Sequence, residues 1–390
     1  MTTDPGPSLA DLEADPHPHL ARLRSTGPVS WIPALGGWLV TDRATALDVM
    51  RDDATFTVDD PRFSTAQVVG RSMLSVDGAE HDRHRSAFSE PFRAGAVREN
   101  LGPWLRDEAR RIVKSFADGG CAELRGALAA PLAVSTVLHT LGLSPADPDR
   151  VLGWYRTIGT AIEGVNAGRE VDDGAAVAVA GLRARIDETV AHGSGPLADA
   201  AGMLDADAVF ANAAVIMFGA IETSEGTTAS ALLHLLSSPE QLAEVLADRT
   251  LVTDVVEEAL RIEPAASLVD RYATRDVEVA GVNVRQGDLV TVSLAGANRD
   301  PAVFDDPDRF DLHRANARQH LTFVQGPHVC LGMHLARLET REAVDAVLDL
   351  LPGVRLVPGH SAPARGLVFR KPGSVGAAWD VSRRAPTGKV

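Results

Sequence analysis

The sequence predicts a mainly helical protein with small β sheets, folded as a single domain over residues 1–390. Apolar residues recur at helical spacing through long segments, including residues 207–236 and 336–351. Between residues 271 and 298 they alternate instead, with glycines between the runs, which is typical of short β strands. No linker, repeat or low-complexity stretch divides the chain into further domains.

Composition and charge limit the possible partners. The 45% of hydrophobic residues can form a large core, and the net charge of −15 argues against nucleic acid, because phosphate binding needs a basic surface. Two cysteines, Cys121 and Cys330, favour a reducing compartment over a disulfide framework. The N-terminus lacks a secretory signal and no apolar run looks long enough to cross a bilayer, so we expect a cytoplasmic protein without a membrane partner.

The N-terminal half is predicted from local patterns. A Pro/Gly turn between two apolar runs predicts a small hairpin over residues 29–41, followed by a helix over residues 44–51. Residues 56–69 have a mixed composition that predicts a loop. Alanine-rich helical sequence continues from about residue 97 to residue 201, with a break near residues 144–148.

A polar helical run near residue 80 contains the first candidate site residues. His81 and Arg85 are four residues apart, so they share one face of a helix. Both side chains can bind an anion. By themselves they favour a solvated basic turn.

The longest predicted helix, residues 207–236, changes character in its middle. Its first half is almost continuously apolar, and then Glu222 and Thr223 follow, with Gly219 before them and Gly226 after them. An acid and a hydroxyl are costly inside a buried helix. A threonine that bonds back to the preceding turn beside a glycine can kink a helix. A helix that reaches the surface at Glu222 would explain the same residues.

A short helix ended by Pro264 carries Glu258 and Arg261 at i,i+3 spacing. Such a pair on a protein surface contributes little to stability. Locally the sequence does not decide between a surface pair and a buried one.

The stretch from His320 to Gly332 places Cys330 just before an amphipathic helix. A cysteine at a helix N-terminus faces free backbone N–H groups, which favour its thiolate form. The amides of Leu331 and Gly332 are the candidate donors to the sulfur. The alternative is a buried, unreactive thiol.

The spacing Phe323-x-x-Gly326-x-His328-x-Cys330-x-Gly332 resembles the haem-binding signature of the cytochrome P-450 family. The resemblance implies that the Cys330 thiolate is the axial ligand of a haem b iron. One departure is Val324, which stands where the family often has glycine. The resemblance covers nearly the whole chain, and its motifs occur in the family's order. The cofactor-binding residues that it implies, including those that bind the haem propionates, are His81, Arg85, Arg271, Phe323, His328, Cys330 and Gly332.

The remaining motifs acquire roles through the same resemblance. The segment from Gly219 to Thr223 resembles the central-helix motif that bulges over the distal haem face, and it implies that Thr223 and Glu222 are catalytic, holding oxygen and supplying protons. The buried triad that locks the loop beneath the haem is implied to be Glu258, Arg261 and Arg309. The residues implied to line the substrate pocket are Val215, Phe218, Gly219, Leu268, Val269, Val368 and Phe369.

The resemblance implies a monooxygenase that hydroxylates or epoxidises an apolar small molecule, in secondary metabolism. No flavin or nicotinamide motif is present, so electrons from NAD(P)H are expected through a separate ferredoxin reductase and ferredoxin. A basic patch for that acidic partner is expected at Arg337 and Arg83. Two alternatives remain: another oxidation on the same scaffold, such as C–C coupling, desaturation or ring closure, and a haem-binding sensor without turnover.

Overall fold

The computed structural model describes residues 6–143, 148–166, 170 and 173–381. The predicted break near residues 144–148 falls mostly outside the described residues. The described chain is mainly helical, which confirms the predicted fold class. Its helices are α1 (Leu9–Ala14), α2 (His17–Thr26), α3 (Arg43–Arg51), α4 (Ser64–Val69), α5 (Gly78–Phe88), α6 (Ala94–Ala96), α7 (Gly102–Phe116), α8 (Ala130–Leu141), α9 (Pro148–Asn166), α10 (Asp173–Ala191), α11 (Pro196–Ala201), α12 (Ala206–Leu236), α13 (Pro239–Ala247), α14 (Val252–Ile262), α15 (Leu294–Ala297) and α16 (Met333–Leu350).

Three small sheets complete the fold. A five-stranded sheet has the order β1-β2-β8-β5-β3, a three-stranded sheet the order β4-β10-β9, and a hairpin pairs β6 with β7. Only the β2–β8 pair is parallel among the strand pairs of the described residues. The strands are β1 (Val29–Ile32), β2 (Gly37–Val40), β3 (Phe56–Thr57), β4 (Cys121–Glu123), β5 (Leu268–Ala273), β6 (Val277–Val279), β7 (Val282–Val284), β8 (Leu289–Ser293), β9 (Arg355–Arg365) and β10 (Lys371–Ala378).

Most local predictions are confirmed, and two are wrong. The hairpin β1–β2, helix α3 and strands β5–β8 lie where the sequence patterns place them. The predicted loop over residues 56–69 contains β3 and α4. The predicted helical stretch after residue 97 is interrupted by β4, which pairs with β10 at the other end of the chain. Pairing between segments so far apart leaves no local periodicity to detect.

Helix α12 is the central element of the fold. Asp205 caps its N-terminus by accepting a hydrogen bond from the amide of Ala208. The helix packs against α8, α14, α16 and β10, so most of its surface is covered by protein. By length and composition α12 could span a membrane, contrary to the sequence expectation, but 56% of its most apolar window is buried inside the protein. The buried core helix of a protein can have the same length and apolar composition as a membrane span.

A buried ion cluster holds α14 against the loop that leads to Cys330. Glu258 and Arg261 form a two-bonded pair at 2.8 Å and are both fully buried, so the surface alternative is excluded. The predicted third member, Arg309, is wrong: its side chain is 63% exposed and pairs with Asp311. Arg314 takes that place instead, with its Nε 2.9 Å from Glu258 Oε1. The backbone carbonyl of Arg309 accepts hydrogen bonds from both buried arginines.

Glu339 is a buried acid of α16, which packs against α12 and α8. The residue is 2% exposed, and its Oε1 has no hydrogen-bond partner among the described residues. Burial raises the pKa of Glu339 to about 8, and the hydroxyls of Ser224 and Thr136 offset only part of that effect. The folded protein therefore holds a neutral carboxylic acid at this position near neutral pH.

The neutral Glu339 predicts a pH-dependent stability. Its folded pKa lies above the ordinary value of a glutamate, so the folded state binds more protons between about pH 4.5 and about pH 8. The free energy of unfolding should therefore fall across this window as pH rises, by up to about 1.4 kcal/mol per pH unit from this group. Glu339→Gln should reduce the slope of the free energy of unfolding against pH, measured by urea unfolding at a series of pH values. Glu240→Gln, at an exposed site, should leave this slope unchanged. Equal slopes in wild type and Glu339→Gln would contradict the assignment.

Candidate haem-binding active site

The loop that carries Cys330 is shaped by backbone constraints. The amide of Cys330 donates to the carbonyl of Phe323 at 2.8 Å, which closes the loop just before α16. Gly326 has φ +80°, and a Cβ there would collide with the carbonyl oxygen of Met50. Val324 has φ +60°, a left-handed conformation that a β-branched residue rarely adopts. This strain is the structural reason why glycine would suit the Val324 position better.

The sulfur of Cys330 lies over Gly332, the residue that precedes α16. A Cβ on Gly332 would lie 4.0 Å from Sγ, in ordinary van der Waals contact with the sulfur. Burial raises the pKa of the Cys330 thiol, while the Gly332 amide and the charges of Arg85 and Arg337 act in the opposite direction. The sequence prediction of a favoured thiolate is therefore wrong for the protein alone, because desolvation outweighs the helix terminus. A coordinating metal deprotonates a thiol outright.

Helix α5 brings His81 against the cysteine loop. The His81 Nδ1 lies 2.8 Å from the Met73 carbonyl, and its Nε2 lies 3.2 Å from the Pro327 carbonyl. Its ring meets the ring of His328 edge-on, with 4.2 Å between the centroids. The two predicted histidines are thus brought together, and the solvated-turn alternative does not hold for the buried His81.

His328 is held by a carboxylate that the sequence analysis did not identify. Its Nε2 lies 2.6 Å from Asp77 Oδ1. Burial disfavours the ionised form of Asp77, but hydrogen bonds from His328, Thr57 and the Val58 amide outweigh it and hold the pKa of Asp77 well below its usual range. The two histidine rings therefore lie in one hydrogen-bonded frame between α5 and the cysteine loop.

The buried Arg271 and the half-buried Arg85 are cations without a carboxylate hydrogen-bond partner in the described part of the chain. Arg271 is 4% exposed, and the one hydrogen bond of its side chain to a described residue joins Nη1 to the Asp270 carbonyl at 2.7 Å. Burial lowers the pKa of Arg271, and it also lowers the pKa of the half-buried Arg85. Buried charges are normally paired. Two guanidinium groups near Cys330 and Asp77 therefore fit an anionic group of a ligand.

On α12, Thr223 donates a hydrogen bond to the carbonyl of Gly219, one turn earlier. This is the back-bonding expected from the sequence. The predicted bulge does not interrupt the helix, which is continuous from Ala206 to Leu236. Glu222 is 24% exposed, so it does not mark a surface exit of the helix. Its two carboxylate oxygens contact Tyr155 and Lys371, two residues that the sequence did not indicate.

Two aromatic residues that were predicted to line the substrate pocket, Phe218 and Phe369, lie in contact. The rings of Phe218 and Phe369 meet edge-on at 5.1 Å, and Tyr155 lies 6.3 Å from Phe218. Val215 and Phe218 are buried on α12 in the main core. Gly219 follows them one position along the helix and accepts the Thr223 hydroxyl through its carbonyl.

The strand residues predicted for the pocket divide between two faces of β5. Val269 and Arg271 point to the same side because side chains alternate along a strand. Leu268 points to the other side and packs with Leu20, Leu39 and Ala295, so its assignment to the pocket is wrong. The backbone carbonyl of Val368 accepts a hydrogen bond from the Ser267 amide, which ties the last hairpin to this strand.

Arg337 is not a free surface cation, contrary to the sequence prediction. Its Nε lies 2.6 Å from Glu257 Oε1, and its guanidinium stacks over the Phe323 ring at 4.4 Å. Glu257 also contacts His320 at 3.2 Å. Burial opposes ionisation of Glu257, but hydrogen bonds from His320 and Arg337 dominate and lower its pKa to about 2. Arg337 therefore braces the cysteine loop, while Arg83 remains exposed.

A helical fold with a cysteine on a buried loop, nearby arginines without a carboxylate hydrogen-bond partner among the described residues, and an acid–hydroxyl pair on a central helix fits the class of cysteine-ligated haem proteins. A cytochrome P-450 family model matches residues 194–350. The vitamin D3 dihydroxylase of Streptomyces griseolus is 31% identical over 372 residues, which cover 90% of this chain and 89% of the relative. The chain belongs to the cytochrome P-450 family, and it is a monooxygenase of that family.

Other relatives support the same assignment. The nocardicin C N-oxygenase of Nocardia uniformis subsp. tsuyamanensis is 33% identical, and the match covers 94% of this chain and 96% of that one. The monooxygenase PikC of Streptomyces venezuelae is 32% identical over 89% of this chain and 86% of its own length. The crystal structure of CalO2 superposes with a TM-score of 0.86 at 28% identity and covers 95% of this chain and 98% of that chain.

Proposed function

We propose that this protein oxidises an apolar small molecule at a haem whose iron is bound by Cys330. The observation that carries the proposal is the placement of Cys330 near the half-buried Arg85, together with the buried Arg271 near Asp77, the carboxylate that holds His328 of the cysteine loop. When bound, haem supplies the activation of dioxygen, so that one oxygen atom enters the substrate and the other leaves as water. The described residues fit this group, because they offer one sulfur ligand and several cationic or hydrogen-bonding side chains.

The residues proposed to hold the haem act through distinct chemistry. Cys330 would supply the sulfur ligand, and Phe323 and Gly332 shape the loop around it. Arg85 and Arg271 would neutralise the propionates with charge-assisted hydrogen bonds, with His81 and His328 nearby as further donors. A buried guanidinium gains a partner in this way, and the attraction offsets part of the desolvation penalty of the charge.

Glu222 and Thr223 are proposed to manage protons above the haem. The Thr223 hydroxyl donates a hydrogen bond to the Gly219 carbonyl, so the lone pairs of Oγ1 stay available to accept a hydrogen bond. The partly exposed Glu222 carboxyl can exchange protons with water and pass them toward the Thr223 hydroxyl. Thus Glu222 would take up protons from water, and the Thr223 hydroxyl would fix the position of the next hydrogen-bonding group in the path.

The substrate is proposed to be a hydrophobic small molecule. Phe218, Phe369 and Val215 offer hydrophobic and aromatic surface, which suits shape-based contact. The relatives include an N-oxygenase of nocardicin C, and the neighbour HmtN is described as a post-tailoring hydroxylase of himastatin biosynthesis. A tailoring hydroxylation or epoxidation in secondary metabolism is therefore favoured over the other oxidations that this scaffold supports.

Electrons are proposed to come from NAD(P)H through a ferredoxin reductase and a ferredoxin. An acidic electron carrier needs basic residues on the surface that it approaches. Arg83 is exposed on α5, the helix that also carries Arg85, and it forms no ion pair with any described residue. It is the remaining candidate of the predicted patch, because the charge of Arg337 is matched by Glu257.

Replacing Thr223 with alanine tests the monooxygenase proposal. Thr223→Ala should retain haem and NAD(P)H consumption, but a several-fold larger share of the electrons should appear as hydrogen peroxide, because proton delivery is no longer ordered. The measurement is peroxide formed per NAD(P)H consumed, with a ligand chosen by its type-I spectral shift. Thr227→Ala, one turn further along α12, is the control for effects on the helix. Unchanged coupling in Thr223→Ala would remove this residue from the mechanism, and binding without any product would favour a sensor.

The propionate assignment predicts weaker haem retention in Arg85→Ala. Removing this half-buried cation takes away a charge-assisted partner, so haem should transfer to apomyoglobin at least several-fold faster. Arg83→Ala is the matched control, because it removes an exposed arginine from the same helix. Identical transfer rates for wild type and Arg85→Ala would contradict the role.

A further inference from the structure

The proposed proton-delivering acid, Glu222, is held from two sides by elements far apart in the chain. The hydroxyl of Tyr155 on α9 donates to Glu222 Oε1 at 2.8 Å. The ammonium group of Lys371, at the start of β10, donates to Glu222 Oε2 at 2.7 Å. Among the described residues each carboxylate oxygen therefore has one protein donor, and it retains a lone pair for water.

The contact between α12 and the hairpin β9–β10 places Lys371 beside Glu222. Phe218, Glu222 and Glu225 follow at i, i+4 and i+7, so they share one face of α12. Phe369 and Lys371 are two residues apart in extended chain and point to the same side. Phe369 meets Phe218, and Lys371 meets Glu222 at 2.7 Å and Glu225 at 3.0 Å.

Arg370, which lies between Phe369 and Lys371, bonds to the side of the hairpin that faces away from α12. Arg370 is 2% exposed and bonds to Glu263 at 2.8 Å, away from α12. On the α12 side the approach is close, since a Cβ on Gly226 would lie 3.0 Å from the Arg370 carbonyl oxygen. The backbone that carries Lys371 is therefore fixed on both sides, which limits where its ammonium group can lie.

Stability alone does not account for the Lys371 contacts. Lys371 and Glu222 are each about a quarter exposed, and ion pairs of that exposure contribute little to folding. Glu225 has a second cation, Arg125, at 3.5 Å, so it does not depend on Lys371. What Lys371 and Tyr155 provide is direction, because a glutamate side chain held at both oxygens loses most of its rotational freedom.

We propose that Lys371 and Tyr155 are positioning residues that aim the Glu222 carboxyl at the oxygen-binding face of the haem site. The proposal rests on the proposed role of Glu222 in proton delivery. It assigns this task to the first residue of the last strand and to one hydroxyl of α9, while the catalytic group remains Glu222. Substrate contact at Phe369 and acid orientation at Lys371 then depend on the same short segment of chain.

The test uses the haem-loaded protein, reduced and saturated with carbon monoxide, and reads the infrared C–O stretching band. This band responds to hydrogen-bonding groups near the bound probe and needs neither substrate nor turnover. Glu222→Gln, Lys371→Met and Tyr155→Phe should each shift or broaden the band. Arg125→Met, which removes the other cation of Glu225, should leave it unchanged, and Lys371→Arg should restore the narrow band. Thermal unfolding of Lys371→Met, Glu222→Gln and the double variant should be non-additive.

The outcomes separate this proposal from the proposed function. A band that shifts in Glu222→Gln but is identical to wild type in Lys371→Met and Tyr155→Phe would overturn the positioning roles and leave the acid in place. A band unaffected by all three variants would overturn both the positioning roles and the role of Glu222. Failure of cysteine ligation would appear separately, in the Soret band of the same carbonyl samples.

Discussion

Glu258→Gln is expected to lower the free energy of unfolding by about 3–5 kcal/mol, the cost of breaking a fully buried ion pair. The carboxylate accepts two bonds from Arg261 at 2.8 Å, one from Arg314 at 2.9 Å and one from the Asp311 amide at 3.1 Å. Glutamine removes the negative charge between two buried guanidinium groups and cannot accept at both ends. The loop that leads to Cys330 should then lose its anchor on α14.

Urea unfolding of the haem-loaded protein measures this effect, and haem content after purification provides a second readout. Arg309→Gln is the matched control, because this 63%-exposed side chain pairs with Asp311 and should cost less than about 1 kcal/mol. Arg314→Gln should resemble Glu258→Gln in direction, since Arg314 is 5% exposed. If Arg309→Gln were the more damaging of the two arginine variants, the cluster as described would be wrong.

Cys330→Ser is expected to abolish both turnover and the thiolate signature of the carbonyl complex. A serine hydroxyl is far less acidic and is a poor soft ligand, so it cannot replace the electron-donating sulfur. The arginines and histidines around the loop remain, and some haem should still bind through them. Cys121→Ser is the control, because Cys121 is exposed on β4 and its replacement should change neither turnover nor the carbonyl spectrum. Product formation by Cys330→Ser at the wild-type rate would exclude cysteine ligation.

The sequence predicted the fold class and the order of the motifs because both depend on local patterns. Helical periodicity marked α12 and α16, and alternation marked β5 to β8. Glu258 and Arg261 are three residues apart on one helix, so their pairing could be expected. His81 and His328 were placed in one site through the resemblance, and they do lie together.

The errors arise where long-range geometry decides. Arg309 and Arg314 lie in the same loop, and only its path through space selects Arg314 as the partner of Glu258. Leu268 and Val269 are neighbours on one strand, and the face that each one occupies depends on what packs on either side. The pKa of Cys330 was expected to fall at a helix terminus, but burial, which a sequence does not state, raises it.

Tyr155 and Lys371 illustrate the same limit at Glu222, the proposed proton-delivering acid. They are separated from Glu222 by 67 and 149 residues. Neither stands in a motif, so no spacing in the sequence indicates that they meet at one carboxylate. The only available signal was that Lys371 stands two residues after Phe369, a residue predicted to line the substrate pocket.

The most direct test of the central claim is the absorption spectrum of the wild-type protein after reduction and addition of carbon monoxide. Cysteine ligation of the haem iron predicts the strongly red-shifted Soret band that a thiolate opposite carbon monoxide produces. A Soret band at the ordinary position of a histidine-ligated haem, or a purified protein that takes up no haem, would contradict the account of Cys330 and of the site built around it.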